Sequence, residues 1–232
     1  MNPDDLFGLY TVAQKYFDMP DGDLAGVELL TRVRSGSGTN TIETFIHSLT
    51  VDGLWAITER QLQEARNIFD QWGVVCSVNI DNRMVESDAR ANRLVEKLQE
   101  IQGPITLEFT ETFPMPAPDR VNGLFRRLRE AGATISLDDF GSGFNGMSLF
   151  TDYDFDVVKI DRSLIQDIVQ RPQKGNVLRL VGEMIKVLNK QHVVEGVETE
   201  EQASCLLDLG FNRFQGYCYH KPEAISEMRF DS

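Results

Sequence analysis

The chain has little that would tie it covalently or anchor it in a membrane. Its 232 residues include only three cysteines, Cys76, Cys205 and Cys218, widely spaced and with no C-x-x-C pair. A disulfide scaffold is therefore not expected, and a reducing compartment is. No apolar run comes near the roughly 18 residues of a membrane span. The opening MNPDDLFGLY has neither the basic start nor the apolar stretch of a secretory signal, so a cytoplasmic protein is expected. Histidine is scarce as well. His47, His192 and His220 show no H-E-x-x-H or similar spacing, which disfavours zinc chemistry. His192, which begins a strand-like segment, reads as structural. Positive charge is in deficit, with 36 acidic residues against 23 basic ones and a net charge of -13. Such a surface repels nucleic acid and anionic lipid at long range, so neither a nucleic-acid polymer nor a membrane is an expected partner. A small anionic ligand remains compatible if metal ions or local basic groups offset its charge.

What is present is an ordinary globular composition, 41% hydrophobic and 25% charged, arranged as alternating strands and helices. No low-complexity segment or long linker divides it, and the loosest stretches, 18–23 and 34–40, are short enough to be loops. Between them, residues 26–33 are rich in strand formers. Helical periodicity over 54–72, 87–101, 118–132, 176–190 and 200–210 alternates with strand-like 74–80, 105–111, 134–140, 156–161, 192–198 and 213–222. A short helical piece is expected near Asn145 to Phe150. Strands separated by helices indicate parallel βαβ units. About seven strands, with a candidate edge segment near Tyr10 to Tyr16, favour a closed barrel in one domain spanning residues 1–232.

The strand ends carry the chemistry. Asn79, Glu108, Glu111, Asp138, Asp139, Lys159, Asp161, Glu195 and Gln215 lie at or near them, and in a parallel barrel these ends converge on the catalytic face. A single acid there often caps the following helix, and Asp138 and Asp139 could do so. Acids ending several strands in register argue for more. Glu28, Glu108, Asp138, Asp139 and Glu195 would bring five carboxylates together with Lys159 as the nearest cation, a conflict that divalent ions relieve. Carboxylates with the Asn79 carbonyl form an all-oxygen set that suits Mg²⁺ or Mn²⁺. Adjacent aspartates suit two ions, one carboxylate bridging both. These residues point to a two-metal phosphoester hydrolase and do not name its substrate.

Seven dispersed segments resemble the EAL phosphodiesterase family, in its order: GVELLTR (26–32), SVNI (77–80), LEFTE (107–111), LDDFGSGF (137–144), VVKIDRSLI (157–165), VVEGVETEEQ (193–202) and QGYCYHKP (215–222). The resemblance implies an α/β fold, a modified (β/α)8 TIM-like barrel with one antiparallel strand. It also implies hydrolysis of the second messenger cyclic di-GMP to linear pGpG, with two divalent metal ions. By motif matching, Glu28, Asn79, Glu108 and Asp138 are the expected ligands of one ion, and Asp138, Asp139 and Glu195 those of the second. Glu195 is also the expected general base, and Lys159 orients the catalytic water. Arg32, Gln14 and Gln215 are expected substrate or site contacts, with Asp161, Glu198 and Glu111 in support. Glu111 reads alternatively as a helix cap or a solvated acid. The loop and helix after Asp139 are the expected homodimer surface.

Departures from the family pattern are few. Leu29 replaces alanine in the E-A-L triplet, Lys15 replaces proline after Gln14, and Ser142, Phe144, Asn145 and Gly146 change the loop after the paired aspartates. None removes an expected metal ligand. The competing expectations are a non-catalytic cyclic di-GMP receptor or protein-docking domain, and a barrel hydrolase acting on another phosphoester.

Overall fold

Strand-forming residues open the chain, and the turn chemistry of DMPDGD folds the first strand back on itself. The computed structural model describes residues 8–33, 42–110, 115–142 and 148–230. Its first two strands, β1 (Leu9–Asp18) and β2 (Asp23–Val33), pair antiparallel with Gln14 opposite Glu28. Next come α1 (Ile42–Ser48) and α2 (Val51–Trp72). From β3 (Cys76–Ile80) onward strand and helix alternate: α3 (Asp88–Ile101), β4 (Ile105–Thr110), α4 (Pro118–Glu130) and β5 (Ala133–Phe140). Then follow α5 (Ser148–Asp152), β6 (Val157–Ile160), α6 (Arg162–Ile165), α7 (Pro172–Val187), β7 (Gln191–Val194), α8 (Glu200–Asp208), β8 (Arg213–Gln215) and the short β9 (Glu223–Ala224).

Strands β2 to β8 lie parallel in sequence order, and β1 runs antiparallel against both β2 and β8, closing the barrel. This is the expected barrel with one antiparallel strand. The segment near Tyr10 to Tyr16 is a barrel stave, however, and not the edge strand expected from the sequence. Its two flanks pair with β2 and with β8 and β9.

The main core lies between strands and helices. Leu29, Val78, Leu107, Ile135, Val158 and Val194 are fully or nearly fully buried in one cluster with Leu62, Leu94, Phe125 and Leu178 from the helices. Full burial of each such side chain contributes about 1.5–3 kcal/mol. The alternate strand positions, among them Glu28, Ser77, Glu108, Ser136, Asp138 and Lys159, are buried but polar, so the barrel interior is polar near its mouth. A separate small cluster of Tyr16, Val157 and Val193 supplies apolar packing deeper inside. Several helices start at side-chain caps. Thr50 accepts from the Gly53 N–H and Ser87 from the Arg90 N–H, and Thr199 with Gln202 forms a reciprocal capping box. No helix among the described residues is long and apolar enough to cross a membrane.

Candidate active site

The charged strand ends meet at one mouth of the barrel. The Lys159 ammonium on β6 lies 3.1 Å from Glu28 Oε2, 2.9 Å from Glu108 Oε2, 3.1 Å from Asp138 Oδ1 and 2.8 Å from Glu195 Oε1. Asn79 donates its amide to Glu28 Oε1 at 3.2 Å, and Gln215 donates to Glu28 Oε2 at 2.7 Å. Gln215 also reaches Gln14 Oε1 at 3.4 Å, and Gln14 donates to the His220 carbonyl at 2.9 Å. Glu28 is thus held on three sides by a lysine and two amides.

Two adjacent aspartates can serve one site only if the strand is irregular, because successive residues face opposite sides. On β5, Leu137 pairs with Val158 and Phe140 with Ile160, leaving Asp138 and Asp139 opposite the single Lys159. This bulge places Asp139 at φ 58°, a left-handed conformation that aspartate tolerates better than most residues. Beyond β7, the Glu195 N–H bonds to the Ile160 carbonyl at 3.0 Å, and the Val197 N–H to the Gln215 carbonyl at 3.0 Å. A Cβ on Gly216 would lie 2.1 Å from the Val197 oxygen. Only glycine lets the loops after β7 and β8 approach this closely, bringing Glu195 and Gln215 to the same mouth.

Burial and crowding set the charge states. Desolvation pushes the Glu108 and Glu195 carboxyls well above the usual carboxylate range, and raises Asp138 too. Asp139 is pushed up to about 7, by burial first and then by the charge of Asp138. Burial acts to raise Glu28 as well, but Lys159 and the Gln215 hydrogen bond outweigh it and hold Glu28 below its ordinary value. Burial also opposes the Lys159 charge, yet Asp138, Glu108, Glu195 and Glu28 together hold that ammonium well above the usual lysine range. One lysine faces five acids, so the cluster has room for further positive charge.

The donor set fits divalent cations. Oxygens of Glu28, Glu108 and Asp138 lie within 4.8 Å of one another, as do those of Asp138, Asp139 and Glu195. Asp138 is common to both groups, as a bridging ligand requires. The Gln215 Oε1 atom is buried without a hydrogen-bond partner, an acceptor suited to a bound ion's water. Oxygen-only donors of this kind match hard cations.

Above the acids lie two adjoining clefts of about 560 and about 440 Å³, with Leu30, Arg32, Asn79, Asp138, Asp139 and Asp161 common to both. This is the size of a small-molecule site. Arg32 lines both, its guanidinium donating to the Thr31 carbonyl at 2.9 Å. Asp161 accepts from the Ser163 N–H at 2.9 Å and caps α6. Glu198 stands 3.4 Å from Arg162 at the cleft rim. Glu111 lies outside the described residues, as do residues 143–147 of the expected dimer loop. Sequence reading missed α1, whose Ile42 and Ile46 wall the larger cleft, and the exposed Tyr217 that lines the smaller one. It also missed His220, whose carbonyl anchors Gln14. The period of 42, 45, 46 and 49 in residues 42–49 was the available signal for α1.

Fold and site together define a TIM-like barrel with a carboxylate-rich mouth open to a small-molecule cleft. The family profile for the EAL domain matches residues 8–222, and the chain belongs to that family. It is 29% identical over 231 residues to the cyclic di-GMP phosphodiesterase PdeA of Borreliella burgdorferi, covering 95% of this chain and 34% of the relative. To the cyclic di-GMP phosphodiesterase PdeL of Escherichia coli it is 28% identical over 220 residues, covering 90% of this chain and 61% of the relative. The chain therefore spans less than two thirds of either relative. A solved structure of the PaMucR phosphodiesterase with c-di-GMP superposes with a TM-score of 0.82 at 26% identity, covering 95% of this chain and 94% of that one.

Proposed function

We propose that this barrel is a single cytoplasmic catalytic domain that hydrolyses one phosphodiester bond of cyclic di-GMP to linear pGpG. The observation that carries this is the pair of carboxylate groups sharing Asp138 at the barrel mouth, beneath a cleft lined by Arg32. Glu28, Asn79, Glu108 and Asp138 would hold one Mg²⁺ or Mn²⁺ ion, and Asp138, Asp139 and Glu195 a second. Such ions lower the pKa of a bound water and offset charge at phosphorus.

The chain's own residues supply the rest. Glu195, at the barrel mouth beside Lys159 and Asp138, takes the proton of the attacking water. The water oxygen adds to phosphorus in line with the 3′ oxygen, which leaves and is protonated from solvent in the cleft. Lys159, 2.8 Å from Glu195, orients that water and balances charge on the phosphate. Arg32 presents a guanidinium suited to phosphate oxygens or to a guanine edge. Gln215 holds Glu28 and is itself held by Gln14, and both line the substrate cleft. Asp161 and Glu198 support the rim, and Glu111 is assigned the same supporting role on the family pattern. A homodimer through the loop and helix after Asp139 is part of this reading.

The test is to incubate purified protein with cyclic di-GMP and Mg²⁺ or Mn²⁺, beside metal-free and Glu195→Ala controls, and to resolve the products by chromatography. Metal-dependent pGpG that disappears in the variant is the expected result. Tight binding without turnover in either metal would sink the catalytic claim and leave a receptor.

A further inference from the structure

On β1, β8 pairs with Tyr16 to Asp18 and β9 pairs with Val12 and Ala13, so Gln14 and Lys15 fall between the two ladders. The loop joining β8 to β9 fills that interval with one residue. His220 accepts the Lys15 backbone N–H on Nδ1 at 3.3 Å, and its own carbonyl takes the Gln14 side-chain amide at 2.9 Å. The ring's other nitrogen stands 3.2 Å from Glu223 Oε1. Because a backbone N–H can only donate, Nδ1 must be the bare nitrogen, and Nε2 carries the proton given to Glu223. The ring is therefore fixed at both ends.

From His220 the contacts run inward. Gln14 Oε1 receives Gln215 at 3.4 Å, and the same Gln215 amide donates to Glu28 Oε2 at 2.7 Å. Lys15 gives the arrangement its reason. A proline at position 15 would bring no N–H into the gap. Lys15 brings a donor there, and an unanswered donor in a partly buried ladder is costly. His220 answers it.

We propose that His220 is a positioning residue of the barrel mouth. By accepting the Lys15 N–H it fixes the β8–β9 loop and, through Gln14 and Gln215, the carboxylate of Glu28. Its effect is on the affinity of the Glu28 group for a divalent ion, and it rests on the metal-site reading above. Ligand-supporting residues elsewhere shift metal affinity by about 10–100-fold. His220 acts two residues further out, and a smaller effect of about 5-fold is expected.

The experiment titrates Mn²⁺ alone into the full chain by calorimetry, without nucleotide, for wild type, His220→Leu, Lys15→Pro and the double variant. Thermal unfolding is followed in parallel. His220→Leu should weaken Mn²⁺ binding about 5-fold, and His220→Asn, whose amide oxygen can take the Lys15 N–H, should recover most of that loss. In the Lys15→Pro background, which lacks the donor, the loss should shrink below about 2-fold. A merely structural histidine would lower thermal stability equally in both backgrounds and leave Mn²⁺ affinity in place. Should His220→Leu fail to fold, Glu223→Ala, which frees the ring's outer nitrogen, takes its place with the same expected direction. Unchanged affinity in the His220 variants, or equal losses in the wild-type and Lys15→Pro backgrounds, overturns the proposal and leaves the metal site standing. Absence of Mn²⁺ binding by wild type overturns both.

Discussion

Asp139 combines two features that a purely structural aspartate does not need. Its backbone sits in the left-handed region, and its carboxyl is pushed up to about 7 by burial and by Asp138. In the metal-free protein it is therefore a like-charge neighbour held at a local conformational cost. Replacement by asparagine separates the two features, because asparagine accepts a positive φ as readily as aspartate. At pH 7 and above, Asp139→Asn should raise metal-free stability by about 1–3 kcal/mol, because it removes a charge that burial and Asp138 disfavour. It should also remove one bound ion per chain in a Mn²⁺ titration and abolish turnover. Unchanged ion stoichiometry would show that the second ion does not use Asp139.

At the scale of elements, the E-A-L position shows how a local substitution is absorbed. Leu29 is fully buried in the core between β2 and the helices, and its carbonyl accepts from Gln61 of α2 at 3.2 Å. The extra carbons fill space that alanine would leave open. Leu29→Ala should cost about 2–4 kcal/mol in urea unfolding while Mn²⁺ affinity stays near wild type, since Glu28 faces the other side of the strand. A loss below about 1 kcal/mol would mean the surrounding core collapses readily onto the site. The same elements show what was legible beforehand. Parallel βαβ order followed from alternating periodicities, and the acids at strand ends were visible because a parallel barrel points them one way. The β5 bulge was not, since nothing local in LDDF marks which aspartate adopts a positive φ. Closure by β1 is not legible locally either, because pairing on both flanks is a long-range property: its partners β8 and β9 lie some 200 residues away in sequence. The place of His220 is hidden in the sequence for the same reason, its ring bonding to Lys15 across 205 residues.

For the whole molecule, the acid cluster links pH, metal and stability. Glu108, Glu195, Asp138 and Asp139 all hold protons more tightly in the folded, metal-free chain than in the unfolded one. A raised carboxyl contributes stability that is fully present below its unfolded value and is lost as pH climbs through the folded value, here to about 7 for Asp139. Glu28, which is lowered, works in the opposite sense, and so does the neutral His192, lowered by burial. Lys159 stays charged throughout this range. Divalent ions require ionised ligands, so their binding competes with the protons on the raised acids. The ion-induced rise in melting temperature should therefore grow as pH climbs through about 7, where Asp139 gives up its proton in the metal-free chain. Thermal unfolding with and without Mn²⁺ across that range measures it, and taking the difference cancels the His192 contribution common to both states. An increment independent of pH would show that the five acids are already ionised without metal. Without metal, that charge would then stand against Lys159 alone.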